Sequence, residues 1–402
     1  MNTSPALAPA PTPTPIARLA SIDAYRGFVM FLMMAEVLAL GAMVKAYPES
    51  AFWKSLHVQQ SHVEWVGCVL HDMIQPSFSF LVGVALPFSL AARMARGQSF
   101  GKMFGHTLWR SLLLIALGVL LRSVGRKQTN YTFEDTLSQI GLGFPFLFLL
   151  GLRPAKWQWA ALGVILAGYW AAFAFYPLPG ADFDWAAAGV TPDWPHQLQG
   201  FAAHWNKNTN PAWAFDQWFL NLFPREKPFL NNGGGYATLS FIPTLGTMIL
   251  GLIAGGWLKA HLTHREKLVR FAVAGVAGLA LGLVLHWLGV CPIVKRIWTP
   301  SWVLFSGGWC FLFLAAFYAV LEVKNWRSWS YTLRVIGANS IAAYVMAHLF
   351  DGFIASALNT NLGPRFFKLF APADPFVRGA LVLSTLWLIL LWMDRRKLFL
   401  KL

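Results

Sequence analysis

Apolar runs of about 20 residues recur along the whole chain, and they leave little choice of environment. A helix rising 1.5 Å per residue needs about 20 such residues to cross the hydrocarbon core of a bilayer. Ten stretches fit: residues 25–44, 63–91, 105–124, 137–152, 156–177, 237–258, 268–290, 302–321, 335–357 and 376–393. The fourth is short and the second long. Hydrophobic residues make up 56% of the chain and charged residues 12%, against about 25% charged in an ordinary soluble domain. No single soluble core could bury that much apolar surface, so a solvated globular enzyme is excluded. The expected fold class is all-α, a polytopic membrane helix bundle with about ten transmembrane helices. Residues 1–17, rich in Ala, Pro and Thr, read as a disordered tail, and residues 18–402 as a single transmembrane domain.

The net charge of +15 comes without any Lys/Arg block that would mark a nucleic-acid site, so the expected partner is the lipid bilayer. With the N terminus inside, 19 of the 32 basic residues fall on the inner side and 13 on the outer. Basic residues accumulate on the cytoplasmic side of membrane proteins, which puts both termini of this multi-pass protein in the cytoplasm. Cys68, Cys291 and Cys310 show no CxxC spacing, and the ten histidines no HExxH arrangement. Neither a disulfide framework nor a metal site is expected. Residues 178–236 form a long outer loop with five tryptophans and with Asn206, Asn208, Asn210, Asn221, Asn231 and Asn232. Flat aromatic faces beside amides suit a sugar ring; an aromatic belt at the membrane interface fits equally well.

Ionisable groups inside membrane spans are expensive and by default mark a working site. Glu36, Asp72, His348 and Asp351 all fall within roughly 9–14 Å of the outer face, on three spans. One polar chamber in the outer half of the bundle is expected. Helical spacing puts Cys68, Asp72, Gln75 and Ser79 on one stripe, and Ser340, Tyr344, His348 and Asp351 on another. Pro76 removes the helical partner of the Asp72 carbonyl, and span six opens with Ser240, Pro243, Thr244 and Thr247. Interhelical hydrogen bonding accounts for Ser340 and Thr247; for Asp72 with His348 a functional site is the better reading. His62 stands at the chamber mouth beside Glu64. A continuous helix would separate His62 from Asp72 by about 15 Å, so their cooperation needs substrate, water or a bent lead-in to the span.

The residues Arg18-Leu19, Ile22-Asp23-Ala24-Tyr25-Arg26-Gly27 and His62-x-x-Trp65-x-Gly67-x-x-x-x-Asp72-x-x-x-Pro76-x-Phe78-x-Phe80-x-x-Gly83 resemble the heparan-α-glucosaminide N-acetyltransferase family. The likeness continues through Leu245-Gly246, Gly251, Ala254-Gly255, the Trp298–Trp309 stretch and Gly337-x-Asn339-Ser340-x-x-x-Tyr344-x-x-x-His348. The resemblance implies transfer of an acetyl group from cytosolic acetyl-CoA, across the bilayer, to an amino sugar on the far side. It implies that the family's catalytic histidine is His62 and its intramembrane aspartate Asp72, expected here as the catalytic pair; Glu36, Gln75, Gln139, Asn339, Tyr344 and His348 are expected, from the polar residues themselves, around the acceptor. Arg26 and Arg110, with Arg93 and Arg96 nearby, are candidates for the CoA phosphates. The chain departs from the family at Glu36, where the family has asparagine, and at Leu137-Ser138-Gln139-Ile140-Gly141, where it has a basic run. The luminal domain of animal members is not found in this sequence, so a bacterial inner-membrane protein with an acceptor other than heparan sulfate is expected. A homodimer is left open.

Two functions follow from these readings. The leading one is a transmembrane acyltransferase that uses acetyl-CoA or another acyl-CoA and an extracytoplasmic amino sugar or glycan. The alternative is a proton-coupled carrier of a sugar or glycolipid, with Glu36, Asp72 and His348 as a proton relay; no convincing internal repeat of the kind common in transporters is present.

Overall fold

A computed structural model describes residues 19–400, so the tail assigned to residues 1–17, and Arg18, lie outside the described residues. In chain order the helices are α1 (Ala20–Met34), α2 (Leu40–Ala46), α3 (Ala51–Gln59), α4 (Ile74–Met94), α5 (Phe100–Ser123), α6 (Thr136–Gly151), α7 (Ala155–Ala174), α8 (Trp185–Ala188), α9 (Pro211–Phe219), α10 (Phe241–Lys259), α11 (His264–Trp287), α12 (Pro300–Tyr318), α13 (Tyr331–Ala338), α14 (Ser340–Leu349), α15 (Asp351–Lys368) and α16 (Asp374–Arg395). The protein is an all-α polytopic bundle. Among the described residues seven helices are long and apolar enough to cross a membrane, and two bent pairs bring the number to as many as nine.

Three of the expected spans differ in form. The fourth, α6, has 16 residues and is short for a membrane crossing. The first is broken at Ala39, whose left-handed backbone (φ 52°, ψ 44°) crowds Cβ against the next carbonyl and ends the helix; the chain bends there by 47°. The ninth is not one straight helix. Asn339 separates α13 from α14, and Phe350 separates α14 from α15 with a bend of 61°.

The second expected span starts later than hydropathy implies. Residues 63–69 are not helical, and a 3-10 turn over Leu70–Met73 leads into α4. Pro76 therefore sits in the first turn of α4, where its absent N–H has no intrahelical acceptor to lose. Asp72 lies at the mouth of the span rather than well inside it.

Helix α10 is the most enclosed span, with 78% of it buried; it packs against α4, α6, α7 and α12. Its closest neighbour is α4. A Cβ on Gly251 would collide with the Phe80 carbonyl, and one on Gly83 with the Met248 carbonyl, so two glycines let the backbones touch. Helix α1 packs on α13 and α12, α5 on α6, and α11 on α12. Val269, Val273, Val276 and Leu281 of α11 point outward, as the lipid-facing side of a membrane helix does.

The long loop is folded, and its asparagines are not arrayed for a sugar. Asn206 bonds both backbone groups of Leu198, Asn208 donates to the carbonyls of Ala188 and Asn232, and Asn210 caps α9. Asn221 and Asn231 likewise bond backbone. Trp205 is fully buried and only Trp218 of the five tryptophans is exposed. Buried backbone needs hydrogen-bond partners, and side-chain amides supply them where no helix does. We expect Gly251→Leu to force α10 off α4 and destabilise the bundle by about 2–3 kcal/mol or more, read as an earlier unfolding transition in detergent, while Gly256→Ala, which meets nothing within 4 Å, leaves that transition in place.

Candidate active site

The segment between α3 and the Leu70–Met73 turn owes its shape to two external ties. Gly67 takes φ 121°, a conformation L residues avoid, and its N–H donates to the Ile293 carbonyl at 3.1 Å. Val66 and Val294 form an antiparallel bridge beside it. Arg296 then donates to the carbonyls of Val63 (3.1 Å) and Gly234 (2.8 Å), pinning this segment to the end of the long loop. Trp65 Nε1 donates to the Trp205 carbonyl. The bent lead-in allowed by the sequence is real, and it folds His62 back onto Asp72.

Asp72 is 1% exposed and its carboxylate is saturated. Oδ2 accepts from the backbone N–H groups of Val69 (3.2 Å) and Val63 (3.5 Å). Oδ1 accepts from His62 Nδ1 at 2.7 Å and from Lys295 Nζ at 3.1 Å. A carboxylate and a lysine ammonium leave only one tautomer at the histidine: Nδ1 carries the proton toward Asp72, and Nε2 keeps its lone pair. Lys295 Nζ also comes within 3.2 Å of Nδ1; both donate to the oxygen between them. Burial, with the Lys295 charge adding to it, holds His62 below the ordinary histidine range despite the Asp72 carboxylate. The imidazole is therefore neutral and basic near pH 7.

A second histidine stands beside the first. The His71 ring lies 4.7 Å from that of His62, centroid to centroid, and its Nε2 donates to Glu36 Oε1 at 3.1 Å. Its buried Nδ1 has no partner among the described residues. Glu36, His62, His71, Gln75, Lys295 and His348 all line one cavity of about 410 Å³, which also meets Arg122, Glu134, Asn232 and Tyr236. Burial pushes the Glu134 carboxyl up. Asp351 is not among these residues; its carboxylate accepts the Gly352 N–H at the start of α15.

A second cavity, of about 470 Å³, occupies the other end of the bundle. Along α5, Arg110 lines this one and Arg122 the first, roughly 18 Å apart. Among the described residues Arg26 and Arg110 are its charged lining residues, and Phe78, Leu81, Leu114 and Phe144 make its walls apolar. Arg110 lies over the Phe144 ring at 4.9 Å, and a small side pocket beside it adds Arg93 and His106. No carboxylate lines either space.

Two expected acceptor ligands hold structure instead. Gln139 is buried, donates to the carbonyls of Phe133 and Thr238 and contacts Thr244, and it lines neither cavity. Asn339 sits at the arginine end, donating to the Leu398 carbonyl and accepting from Leu400 N–H. It ties down a C-terminal segment whose Phe399 and Leu400 help line the arginine cavity. The sequence reading missed Lys295 and His71. A lysine between Ile293-Val294 and Arg296-Ile297 was a usable signal, since it interrupts an apolar run with no acid nearby in sequence.

A polytopic membrane bundle with an arginine-lined apolar cavity at one end and a buried His–Asp–Lys cluster at the other is the class the coordinates define. No family model matches the chain. It is similar to heparan-alpha-glucosaminide N-acetyltransferase of Homo sapiens, 23% identical over 377 residues that make up 84% of this chain and 53% of that protein. The Mus musculus protein of the same name is also 23% identical, over 376 residues, 84% of this chain and 54% of that one. The chain is a distant relative of these proteins, and it spans about half the length of the curated relatives it matches.

Two outcomes follow from the cluster. Lys295→Met removes a cation that lowers the His62 pKa, so the midpoint of His62 protonation must rise. Carbethoxylation by diethyl pyrocarbonate, which attacks neutral imidazole, reads this at the His62 peptide by mass spectrometry; its half-maximal pH is expected below about 6.5 in the native protein and higher in the variant. Asp72→Asn strands Lys295 as a buried unpaired charge, which costs about 3–5 kcal/mol. Asp72→Asn combined with Lys295→Met should recover part of that loss in denaturant unfolding.

Proposed function

We propose that the protein is a transmembrane acyltransferase that moves an acyl group, in the simplest case acetyl, from cytoplasmic acyl-CoA to an amine acceptor on the extracytoplasmic side. The observation that carries this reading is the pairing of two dissimilar cavities at opposite ends of one bundle. The arginine cavity offers cations for diphosphate and 3′-phosphate groups and apolar walls for a pantetheine arm. The histidine cavity offers a neutral imidazole oriented by a carboxylate. The distant likeness to N-acetyltransferases supports the same chemistry. The distribution of basic residues supports cytoplasmic termini, an orientation that has Arg26 and Arg110 on the donor side and His62 on the acceptor side.

In the transfer, the acceptor nitrogen attacks the thioester carbonyl carbon, forming a C–N bond while the C–S bond breaks. His62 Nε2 takes the proton released by nitrogen, and Asp72 stabilises the resulting imidazolium through Nδ1–H. That proton passes to the leaving thiolate, giving free CoA and restoring the neutral base. Glu36, held by His71, supplies negative charge that draws in an ammonium acceptor such as an amino sugar, which gives up one proton to the water of the cavity before its nitrogen attacks. The proton-relay carrier draws less support, because Asp72 is committed to Lys295 and His62 and cannot cycle its proton cheaply.

Radiolabel transfer from acetyl-CoA to glucosamine by purified protein in liposomes tests the reading. His62→Ala is expected to lower the rate about 10²–10⁴-fold, and Arg110→Ala to raise the KM for acyl-CoA with a smaller effect on kcat. No transfer from acetyl-CoA or longer acyl-CoA to any amino sugar, with intact fold, would remove the acyltransferase reading.

A further inference from the structure

The two cavities share two lining residues, Thr136 and Tyr344. Their other lining residues differ, so the two spaces adjoin at this pair. Thr136 is fixed because Asp135 caps α6 just before it, accepting from Leu137 N, Ser138 N and Ser138 Oγ. Tyr344 is buried on α14, and the Thr136 side chain lines the same two cavities beside it. Its ring lies stacked on the ring of His348, with centroids 4.4 Å apart and planes 22° from parallel. His348 Nδ1 turns back to the Tyr344 carbonyl at 2.9 Å, which keeps the lower ring of the stack in place. A buried phenol held on its face by a ring of its own helix is a wall, not a loose lining side chain.

We infer that Tyr344, held by the His348 stack and flanked by Thr136, is the partition that keeps the water of the histidine cavity away from an acyl thioester in the arginine cavity. This rests on the acyltransferase reading for its chemical meaning, but the barrier itself does not. A thioester reaching a wet site without an acceptor would lose its acyl group to water: a C–O bond forms to the carbonyl carbon, the C–S bond breaks, and acetate and CoA leave. An aromatic wall that gives way only as the acceptor fills the histidine cavity suppresses that loss. Helix α14 is suited to a small displacement, since it is a ten-residue segment bounded by the breaks at Asn339 and Phe350. Tyr344 is thus a dividing residue rather than a catalytic one.

The partition is tested by access and by hydrolysis separately. In a Cys68→Ala background, Ala85→Cys puts a thiol on the wall of the arginine cavity. A membrane-impermeant sulfonate-bearing methanethiosulfonate is added to sealed vesicles of known sidedness, from the histidine-cavity face. With Tyr344 present, labelling is expected to be slow; Tyr344→Ala should speed it about tenfold or more, and Tyr344→Phe should stay close to the parent because the ring remains. Thr136→Val, which takes away only the hydroxyl beside Tyr344, should speed labelling above the parent but less than Tyr344→Ala does, and serves if Tyr344→Ala does not fold. In parallel, CoA release from acetyl-CoA without acceptor should rise about tenfold in Tyr344→Ala. Fast labelling with Tyr344 in place, or labelling in Tyr344→Ala and Thr136→Val no faster than in the parent, would overturn the partition. Labelling that behaves as expected while no acyl transfer occurs in any assay would leave the partition standing and remove the acyltransferase reading alone.

Discussion

One carboxylate holds the site together. Asp72 collects four hydrogen bonds from His62, Val63, Val69 and Lys295, which belong to the segment before α4 and to the segment before α12. Those stretches are more than 200 residues apart in the chain, and neither is helical where they meet. A buried carboxylate is tolerable only when its lone pairs are met and its charge is balanced; Lys295 does the second and the backbone amides do much of the first. The same requirement therefore curls residues 62–69 around the mouth of α4, presents His62 to the cavity, and fixes which of its nitrogens is basic. Remove Asp72 and the curl, the tautomer and the lysine lose their common partner together.

The rest of the bundle keeps that cluster at a set distance from the arginine cavity. Close backbone contact at Gly83 and Gly251 locks α4 to α10, and α10 in turn packs on α6. The Asp135 cap starts α6 at a defined residue, so Thr136 stands beside Tyr344 at a fixed height. The long loop closes the cavity from above through Asn232, Gly234 and Tyr236, with Arg296 clamping it to the curled segment.

The hydropathy of the sequence was enough to locate the helices, because each of the ten apolar runs contains one, and it was enough to find Glu36, Asp72 and His348, because charge in an apolar run is conspicuous. Boundaries were harder. Residues 63–69 are apolar enough to extend a span, but hydrophobicity does not register that Gly67 and Val66 bond to residues 293–294. Lys295 looked like one more basic loop residue, since its partner lies 223 positions away. Gln139 and Asn339 were legible as polar residues in or beside spans but not in role: an amide that binds a ligand and one that ties down a carbonyl have the same side chain. The asparagines of the long loop make the same point in the other direction, their spacing suggesting a sugar site while their bonds serve the loop's own backbone.

Lys295 also sets a compromise within the chemistry. A histidine hydrogen-bonded to a carboxylate alone would be drawn toward the imidazolium, a better oriented group but one already protonated at neutral pH. Lysine at the same oxygen offsets that pull, so burial prevails and the free base persists. The base is weaker for it, and a weaker base takes a proton from nitrogen less readily but returns it to a thiolate more readily. A group that must do both within one transfer is better served by an intermediate basicity than by a high one. His71 meets a different demand: its Nε2–H is given to Glu36 rather than to a buried carboxylate–lysine pair, while its Nδ1 is buried. Negative charge at Glu36 is then available to an incoming cation, while His62 stays neutral beside it.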